Sequence, residues 1–288
     1  MGDLRFDGRV AVITGAGGGL GRAYARLLAA RGAHVVVNDV DEEGAAATVD
    51  EITAAGGTAV IDLNSVSTLE GGERLTAAAV ESFGGVDVVV NNAGFLRDKA
   101  FHNLTPELIE AVLDVHLKAA FWVTRPAWAR MREQGYGRVV NTTSSAGILG
   151  NFGQANYAAA KMGLVGLTRT LAVEGARYGI KVNAVAPLAR TTMTEAVLGA
   201  LGERLEPDLV APVVAWLCHE DCPSSGEIYS AGGGRVARYF VGLTRGWLDD
   251  DLTLESLRDN FDAVGSEEGY SVPASPAGEL ALILSHLA

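Results

Sequence analysis

Short apolar runs alternate with amphipathic segments along most of the chain. The apolar runs contain few polar positions, which is typical of strands that are buried on both faces of a parallel sheet. Strands are predicted at residues 10–13, 35–38, 59–63, 86–91, 138–142, 182–186 and 227–230. Helices are predicted at residues 20–31, 42–54, 69–83, 106–132, the last with a break, and 156–177. The alternation predicts an α/β fold, a doubly wound parallel sheet with helices on both faces.

The alternation stops near Gly232, and the rest of the chain has a different pattern. Helices are predicted near residues 253–264 and from Ser275, because serine can cap a helix and Pro276 can occupy its first position. We therefore predict an α/β domain at residues 1–235 and a helical C-terminal extension at residues 236–288. The apolar positions of this extension need a partner surface, either on the same domain or on another subunit.

Composition narrows the class of protein. The chain has 288 residues, of which 48% are hydrophobic, so it can bury a large core. No apolar run reaches the roughly 18 residues of a membrane span, and the first residues contain no apolar signal segment. The formal charge of −12 disfavours nucleic acids and anionic membranes as partners. We expect a soluble, cytoplasmic protein.

The two cysteines do not indicate a metal site. Three residues separate Cys218 from Cys222, whereas zinc sites commonly contain a Cys-x-x-Cys pair. Although His219 lies between them, we expect reduced thiols and no bound metal.

A glycine-rich segment, residues 14–21, joins the first predicted strand to the first predicted helix. Glycines allow the backbone to approach a pyrophosphate closely, and the amides at a helix N-terminus attract its negative charge. The residues expected to contact a dinucleotide here are Gly15, Gly18, Gly19, Leu20 and Gly21. Residues 91–94, Asn-Asn-Ala-Gly, end the fourth predicted strand. Asn91 is placed there to line the same ligand and to tie strands together through its amide.

Asp39 follows the second predicted strand and indicates which dinucleotide is bound. A carboxylate at this place can accept hydrogen bonds from both hydroxyls of the adenosine ribose, and it repels the 2′-phosphate of NADP. Gly18 is uncharged and no basic residue adjoins Asp39, so the sequence favours NAD. Arg22 is the one nearby cation that opposes this inference.

Tyr157 and Lys161 are about one helical turn apart and are the leading candidates for catalysis. An ammonium beside a phenol lowers the pKa of the phenol from about 10, so that it can exchange a proton near neutral pH. Only four of the 23 basic residues are lysines, so a lysine at this position is not expected by chance. Ser144 lies thirteen residues before Tyr157, at a strand end. The alternative is a surface Tyr/Lys pair on an amphipathic helix.

Together these motifs resemble the short-chain dehydrogenase/reductase family. The resemblance covers most of residues 8–235 and implies a Rossmann fold that binds a nicotinamide dinucleotide. The matching segments, in the order of the family, are residues 14–21, residues 91–94, Ser144 and the Tyr157-x-x-x-Lys161 motif. Residues 35–39, 96–98, 136–139, 150–157 and 216–220 further resemble the dehydrogenase units of the type 2 multifunctional enzymes of peroxisomes.

The resemblance implies further contacts with the dinucleotide. Asn64 or the competing Asp62 would meet the adenine. Pro187 is followed by Leu188 where the family usually has glycine, which alters the pocket beside the nicotinamide. The remaining implied contacts are Ser65, Ala93, Gly94, Thr191, Thr192, Tyr157 and Lys161. His116 stands where the family usually has a catalytic asparagine; it would relay protons to Lys161 through water, or it is a packed helix residue.

The resemblance implies an NAD-dependent oxidoreductase that interconverts a secondary alcohol and a ketone. Ser144 would orient the substrate oxygen, Tyr157 would take the hydroxyl proton, and Lys161 would lower the pKa of the tyrosine. The implied substrate is a (3R)-3-hydroxyacyl-CoA of fatty-acid or sterol side-chain degradation. The alternatives are a 17β-hydroxysteroid as substrate and an NAD-binding regulatory protein without turnover. The family commonly forms homodimers or homotetramers. Candidate cations for the phosphates of CoA are Arg97, Lys99, Arg190, Arg235 and Arg238.

Overall fold

The computed structural model describes residues 2–191 and 204–285 of the chain. The chain separates into two compact units, Met1–Arg238 and Tyr239–Ala288. The first unit carries the sheet and every candidate site residue named above, so it is the unit that positions the site.

The first unit is built on an eight-stranded sheet in which β1 to β7 pair in parallel. The strands are β1 (Val10–Thr14), β2 (His34–Asn38), β3 (Thr58–Asp62), β4 (Val88–Asn91), β5 (Gly137–Thr142), β6 (Ile180–Pro187), β7 (Ile228–Gly232) and β8 (Arg235–Tyr239). Their order across the sheet is β3-β2-β1-β4-β5-β6-β7-β8. The winding reverses between β1 and β4, and ligands of such sheets bind at the carboxyl ends of the strands beside this reversal.

Helices cover both faces of the sheet. They are α1 (Gly19–Ala30), α2 (Glu42–Ala54), α3 (Leu69–Phe83), α4 (Pro106–Leu113), α5 (Ala119–Gln134), α6 (Ser145–Leu149), α7 (Ala155–Gly175) and α8 (Ala211–Cys218). α1, α2 and α8 pack on one face, whereas α3, α5 and α7 pack on the other. Successive side chains of β2 enter opposite layers: Val35 and Val37 face the first layer, and Val36 faces the second. The predicted doubly wound α/β fold is therefore confirmed.

The apolar pattern does not predict β8, α6 or α8. The prediction that the strand at residues 227–230 is the last one is wrong, because β8 follows it after a two-residue turn. β8 is an edge strand with Arg235 and Arg238, so it lacks the apolar run of a buried strand. α6 has only five residues, and α8 is apolar almost throughout, so neither shows a helical period.

The helix predicted at residues 106–132 is interrupted. A π-helical segment, Asp114–Lys118, separates α4 from α5. Such segments are rare and occur frequently at functional sites. His116 lies within this segment and is buried against residues 94–95, at the carboxyl end of β4.

Up to residue 285, where the description ends, the second unit contains three short helices, α9 (Leu254–Asp259), α10 (Phe261–Gly265) and α11 (Pro276–Ser285). An antiparallel bridge joins Leu243 to Ser271, and the rings of Phe240 and Tyr270 stack with centroids 5.7 Å apart. None of the described residues of this unit is buried. Across the described part of the whole chain, no helix is both long and apolar enough to cross a membrane.

Candidate active site

The first and fourth strands are tied together at their carboxyl ends by Thr14. Its Oγ1 accepts hydrogen bonds from the backbone amides of Asn92 (2.9 Å) and Ala93 (3.0 Å). The side-chain amide of Asn92 donates in return to the carbonyls of Thr14 and Gly15, at 3.0 and 3.1 Å. These bonds join the glycine-rich loop to residues 91–94. Neither Thr14 nor Asn92 was predicted as a site residue, although both lie within the two motifs.

The glycine-rich loop passes closely over residues 92–93 and turns into α1. Gly15 has φ +63°, and a Cβ atom there would lie 2.8 Å from the Cα of Ala93. A Cβ atom on Gly21 would lie 2.1 Å from the carbonyl oxygen of Gly15, so both positions require glycine. Gly18 is the N-cap of α1 without a side-chain cap, which leaves the first amides of the helix available to an anion.

Asp39, at the end of β2, holds the same loop. Its Oδ2 accepts from the backbone amide of Gly17 at 2.9 Å, and its Oδ1 accepts from the amide of Asp41 at 3.1 Å. The carbonyl of Gly17 accepts from Nη2 of Arg22 at 2.8 Å. The guanidinium of Arg22 is thus directed at protein atoms, and it makes no ion pair with Asp39.

The end of β3 carries a connected set of polar side chains. Asp62 is 5% exposed, and its carboxylate accepts from the side-chain amides of Asn38 (2.7 Å) and Asn64 (2.8 Å). Its Oδ1 also accepts from the backbone amide of Asn64. Of the two candidates for the adenine, Asp62 is therefore engaged within the protein, whereas Asn64 keeps its Oδ1 as an acceptor. The hydroxyl of Ser65 shares a hydrogen bond with Ser67.

Asn91 links strands and helices beneath the site. Its side-chain amide donates to the Oδ1 of Asn141 on β5 at 2.8 Å and to the hydroxyl of Thr124 on α5 at 2.9 Å. The amide of Asn141 donates onward to Thr168 on α7. The strand-tying role of Asn91 is therefore present in the structure, and both of its amide hydrogens are used there.

Ser144 and Tyr157 meet at the carboxyl end of β5. Ser144 caps α6, because its hydroxyl accepts from the backbone amide of Ala146 at 3.2 Å. Burial raises the pKa of Tyr157, a hydrogen bond with Ser144 acts against this, and the charge of Asp98 adds to it. The net direction is opposite to the lowering that the Tyr-x-x-x-Lys spacing predicts.

Lys161 is buried as well. Its side chain is almost fully buried, and its Nζ donates to the carbonyl oxygen of Thr142 at 2.5 Å. Burial lowers the pKa of Lys161 to about 7, so that the amine is only partly charged at neutral pH. Its Nζ lies 5.6 Å from the ring centroid of Tyr157. A partly neutral amine at that distance does not offset the burial of the phenol.

His116 packs between Tyr157 and the end of β4. Its ring is perpendicular to that of Tyr157, with centroids 5.1 Å apart, and its Nε2 lies 2.7 Å from the carbonyl oxygen of Phe95. A Cβ atom on Gly94 would lie 2.1 Å from its Cε1, which explains the glycine. Burial and the charge of Lys161 lower the pKa of His116 to about 3. The ring is therefore neutral at physiological pH, and any relay through it would have to involve the neutral form.

The loop after β6 approaches the glycine-rich segment. A Cβ atom on Gly19 would lie 3.3 Å from the Cγ2 of Thr191, so these two predicted contacts lie together. Pro187 ends β6 and pairs with Ala231, and Leu188 is half exposed beside it. Thr192 lies outside the described residues.

Two loops beside Tyr157 form an exposed apolar surface. The backbone amide of Lys99 donates to the carbonyl oxygen of Gly153 at 2.9 Å, and Gln154 donates to Asp98 at 2.7 Å. Three large side chains on these loops and at the end of α6 are 73–90% exposed; we call Phe101, Leu149 and Phe152 the apolar rim. Large apolar side chains that are exposed together commonly mark a site of interaction.

The five candidate cations differ in their partners. Arg190 pairs with Glu206 at 2.8 Å, and Arg238 pairs with Glu227 at 3.3 Å. In the part of the chain that the structure describes, ion pairs are absent at Arg97, Lys99 and Arg235. The first two flank Asp98 in the segment that leads to Phe101 of the apolar rim.

The cysteine region forms no candidate metal centre. Cys218 and Cys222 are buried free thiols, and burial raises the pKa of Cys218. Within residues 2–191 and 204–285, no group of three or more His, Cys, Asp or Glu side chains could hold a metal ion.

Comparison with known proteins places these features in a family. Residues 9–200 match the sequence profile described as short chain dehydrogenase. The chain is 46% identical over 284 residues to peroxisomal multifunctional enzyme type 2 of Mus musculus. The aligned residues make up 94% of this chain and 38% of that enzyme. It is 40% identical to hydroxyacyl-CoA dehydrogenase ChsB1 of Mycobacterium tuberculosis, over 92% of each chain.

A solved structure agrees with this relationship. The full-length peroxisomal multifunctional enzyme type 2 of Drosophila melanogaster superposes with a TM-score of 0.85 and 40% identity, over 99% of this chain and 50% of that one. This chain therefore spans half or less of the length of these two multifunctional enzymes. The match extends beyond the α/β unit into the C-terminal residues.

Proposed function

The chain belongs to the short-chain dehydrogenase family, and on that premise we propose that it oxidises (3R)-3-hydroxyacyl-CoA esters to 3-oxoacyl-CoA esters with NAD. The observation that carries the proposal lies beside Tyr157, where Arg97 and Lys99 adjoin the apolar rim. An acyl-CoA combines phosphates with an apolar chain and so matches both features. Dehydrogenation of a CH–OH group is the reaction expected of this family, and one relative is named a hydroxyacyl-CoA dehydrogenase.

The residues at the ends of β1, β2 and β3 fit a nicotinamide dinucleotide. A Cβ atom on Gly18 would meet no atom within 4 Å, so the loop leaves room for a pyrophosphate at the start of α1. Each carboxylate oxygen of Asp39 accepts one backbone hydrogen bond and keeps a lone pair for a ribose hydroxyl. The free Oδ1 of Asn64 can accept from the adenine amino group. We assign these three residues to those three parts of the cofactor.

The preference for NAD over NADP is supported by charge. Asp39 would repel a 2′-phosphate, and the guanidinium of Arg22 is already engaged by hydrogen bonds to Thr48 and to the carbonyl of Gly17. Members of this family typically bind NAD or NADP, and these two side chains favour the first.

In the proposed mechanism the bound cofactor supplies the hydride acceptor, and the protein positions the substrate and handles the proton. Ser144 would donate a hydrogen bond to the substrate oxygen and hold it beside the Tyr157 hydroxyl. Tyr157 would exchange the proton with that oxygen as general base or acid. Lys161 uses one N–H donor on Thr142 and would offer another to the nicotinamide ribose. Since burial raises the pKa of Tyr157, alcohol oxidation should become faster as the pH rises.

A 17β-hydroxysteroid also presents a secondary alcohol on an apolar body, and the apolar rim alone would suit either ligand. The cations distinguish the two, because a steroid has no phosphate to pair with them. Arg97 and Lys99 have no acidic partner within the described ranges 2–191 and 204–285, so an anionic ligand would compensate their charge. This favours the CoA ester.

We expect NAD reduction with 3-hydroxyacyl-CoA esters and at most weak reduction with steroids or simple alcohols. The assay follows NADH absorbance with C4 to C16 (3R)-3-hydroxyacyl-CoA esters, their (3S) isomers and 17β-hydroxysteroids, at pH 7 and pH 9. Faster turnover of steroids would establish the alternative substrate. Tight NAD binding without turnover of any compound would establish the regulatory alternative and refute the proposal.

The apolar rim predicts a dependence on chain length. Replacing Phe152, which is 90% exposed, by serine should lower kcat/KM for C16 esters about tenfold through lost apolar contact, with C4 esters little affected. The matched control is Val173→Ser, since Val173 is 76% exposed on the same helix as Tyr157 but more than four turns farther along. Equal losses for both chain lengths would show that the rim does not contact the acyl chain.

A further inference from the structure

Gly17 is held from both sides by groups of opposite charge. Its amide donates to Oδ2 of Asp39 at 2.9 Å, and its carbonyl accepts from Nη2 of Arg22 at 2.8 Å. A carboxylate and a guanidinium therefore contact the backbone of one residue, at the place proposed for the adenosine ribose. A guanidinium this close is the group that would bind a 2′-phosphate, if its donors were free.

The other donors of Arg22 are directed at α2. Its Nε donates to the hydroxyl of Thr48 at 3.0 Å, and its Nη1 donates to Oε1 of Glu51 at 3.4 Å. Nη2 also reaches the carbonyl of Gly44 at 3.4 Å. The Arg22 side chain is 30% exposed, so most of it lies against these partners. All three nitrogens of the guanidinium thus donate to the protein.

Thr48 and Glu51 differ in how firmly they can hold the arginine. Thr48 is fully buried, and its hydroxyl also bonds to the carbonyl of Ala16, so its position is fixed by the fold. Glu51 is 43% exposed and supplies the negative charge that faces the guanidinium. The same carboxylate lies 3.5 Å from Nε of Arg26, so it serves two cations. Removal of this carboxylate would release the outer end of Arg22 while leaving the fold of α2 intact.

We propose that Glu51 is a specificity-determining residue that disfavours NADP without contacting the cofactor, by holding Arg22 toward α2. The inference rests on the proposed use of NAD. Asp39 then acts on the ribose directly, whereas Glu51 acts through the direction and charge of Arg22. The carboxylates of Asp39 and Glu51 would together disfavour binding of the 2′-phosphate. Of the two, only Asp39 lies directly after β2, where such a carboxylate is usually found.

The test is equilibrium binding of NAD and NADP to the intact protein, measured by titration calorimetry without substrate. Glu51→Gln should tighten NADP binding about threefold to tenfold, as expected for one released exposed cation, and should change the dissociation constant of NAD by less than about twofold. The matched control is Asp50→Asn, which removes the same charge from the neighbouring position of α2. Asp50 is exposed and, among the described residues, makes no ion pair, so its variant should leave the ratio of the two affinities unchanged.

A double variant identifies the arginine as the mediator. Adding Arg22→Gln to Glu51→Gln should abolish the gain in NADP affinity, because the released cation is then missing. An unchanged NADP to NAD ratio in Glu51→Gln, or an equal gain in Asp50→Asn, would overturn the inference while leaving NAD use intact. Tighter binding of NADP than of NAD by the unaltered protein would instead refute the cofactor assignment itself.

Discussion

Tyr157→Phe should lower kcat for alcohol oxidation by about a thousandfold or more, within the range that loss of a general acid or base produces. The substitution removes one oxygen atom and keeps the ring, which packs edge-on against His116. Because Gly18, Asp39 and Asn64 are untouched, NAD binding should change by less than about twofold. The measurement combines steady-state NADH production with calorimetric titration of NAD.

Tyr136→Phe is the matched control for this loss. Tyr136 is also partly buried, with a hydroxyl that has no hydrogen-bond partner among the described residues, and its ring packs against Arg9 and Arg138 at the other end of β5. Removing that hydroxyl should leave kcat within about twofold of the unaltered enzyme. If Tyr157→Phe kept more than a tenth of the activity, Tyr157 could not be the group that exchanges the proton.

Lys161→Met should make the protein more stable at neutral and acidic pH while it abolishes turnover. Burial lowers the pKa of Lys161 from 10.5 to about 7, which corresponds to a cost of at most about 5 kcal/mol when the amine is charged. The cost is fully present below about pH 7, where both folded and unfolded chains bind the proton. It decreases between about pH 7 and 10.5, where only the unfolded chain binds it, and it vanishes above that range.

Urea unfolding at pH 6, 8 and 10 would measure this effect. The gain in unfolding free energy of Lys161→Met should amount to a few kcal/mol at pH 6 and shrink toward pH 10. Lys181→Met is the control, because Lys181 lies at the start of β6 and donates to the carbonyl of Cys222, away from the site. A gain for Lys161→Met that is independent of pH would mean that the charge of Lys161 is not what costs stability.

Much of the fold could be read from the pattern of apolar residues. The predicted bounds of α2 and α3 agree with the structure, and the predicted strands agree within about two residues. Buried parallel strands and amphipathic helices leave strong local signals, because burial selects apolar residues at the period of each element. The sequence did not predict β8 or α8, because an edge strand lacks a buried apolar run and an almost entirely apolar helix lacks polar positions at the helical period. The family assignment is confirmed, whereas the oligomeric state, the cytoplasmic location and the domain bounds stay predictions.

At the site, the sequence predicted where residues lie but not how they ionise. The motifs bring Ser144, Tyr157 and Lys161 to one end of β5 and α7, as their order and spacing predict. The spacing along α7 predicts a lowered pKa for Tyr157, whereas burial raises it, because the spacing of two residues along a helix says nothing about their solvation. The ionisation of His116 also depends on burial. Its residue type suggests a proton carrier, but burial lowers its pKa and keeps its ring neutral.

By itself, the sequence determined the alternation of strands and helices, the glycine-rich loop and the pairing of Tyr157 with Lys161. These features depend on residues that are close in the chain, where periodicity and turn geometry act directly. Only the tertiary structure decided the direction of the pKa shifts, the orientation of Arg22 and the place of His116 against Gly94. Those properties depend on which distant segments exclude water from a group or donate hydrogen bonds to it. Packing of the whole chain sets them.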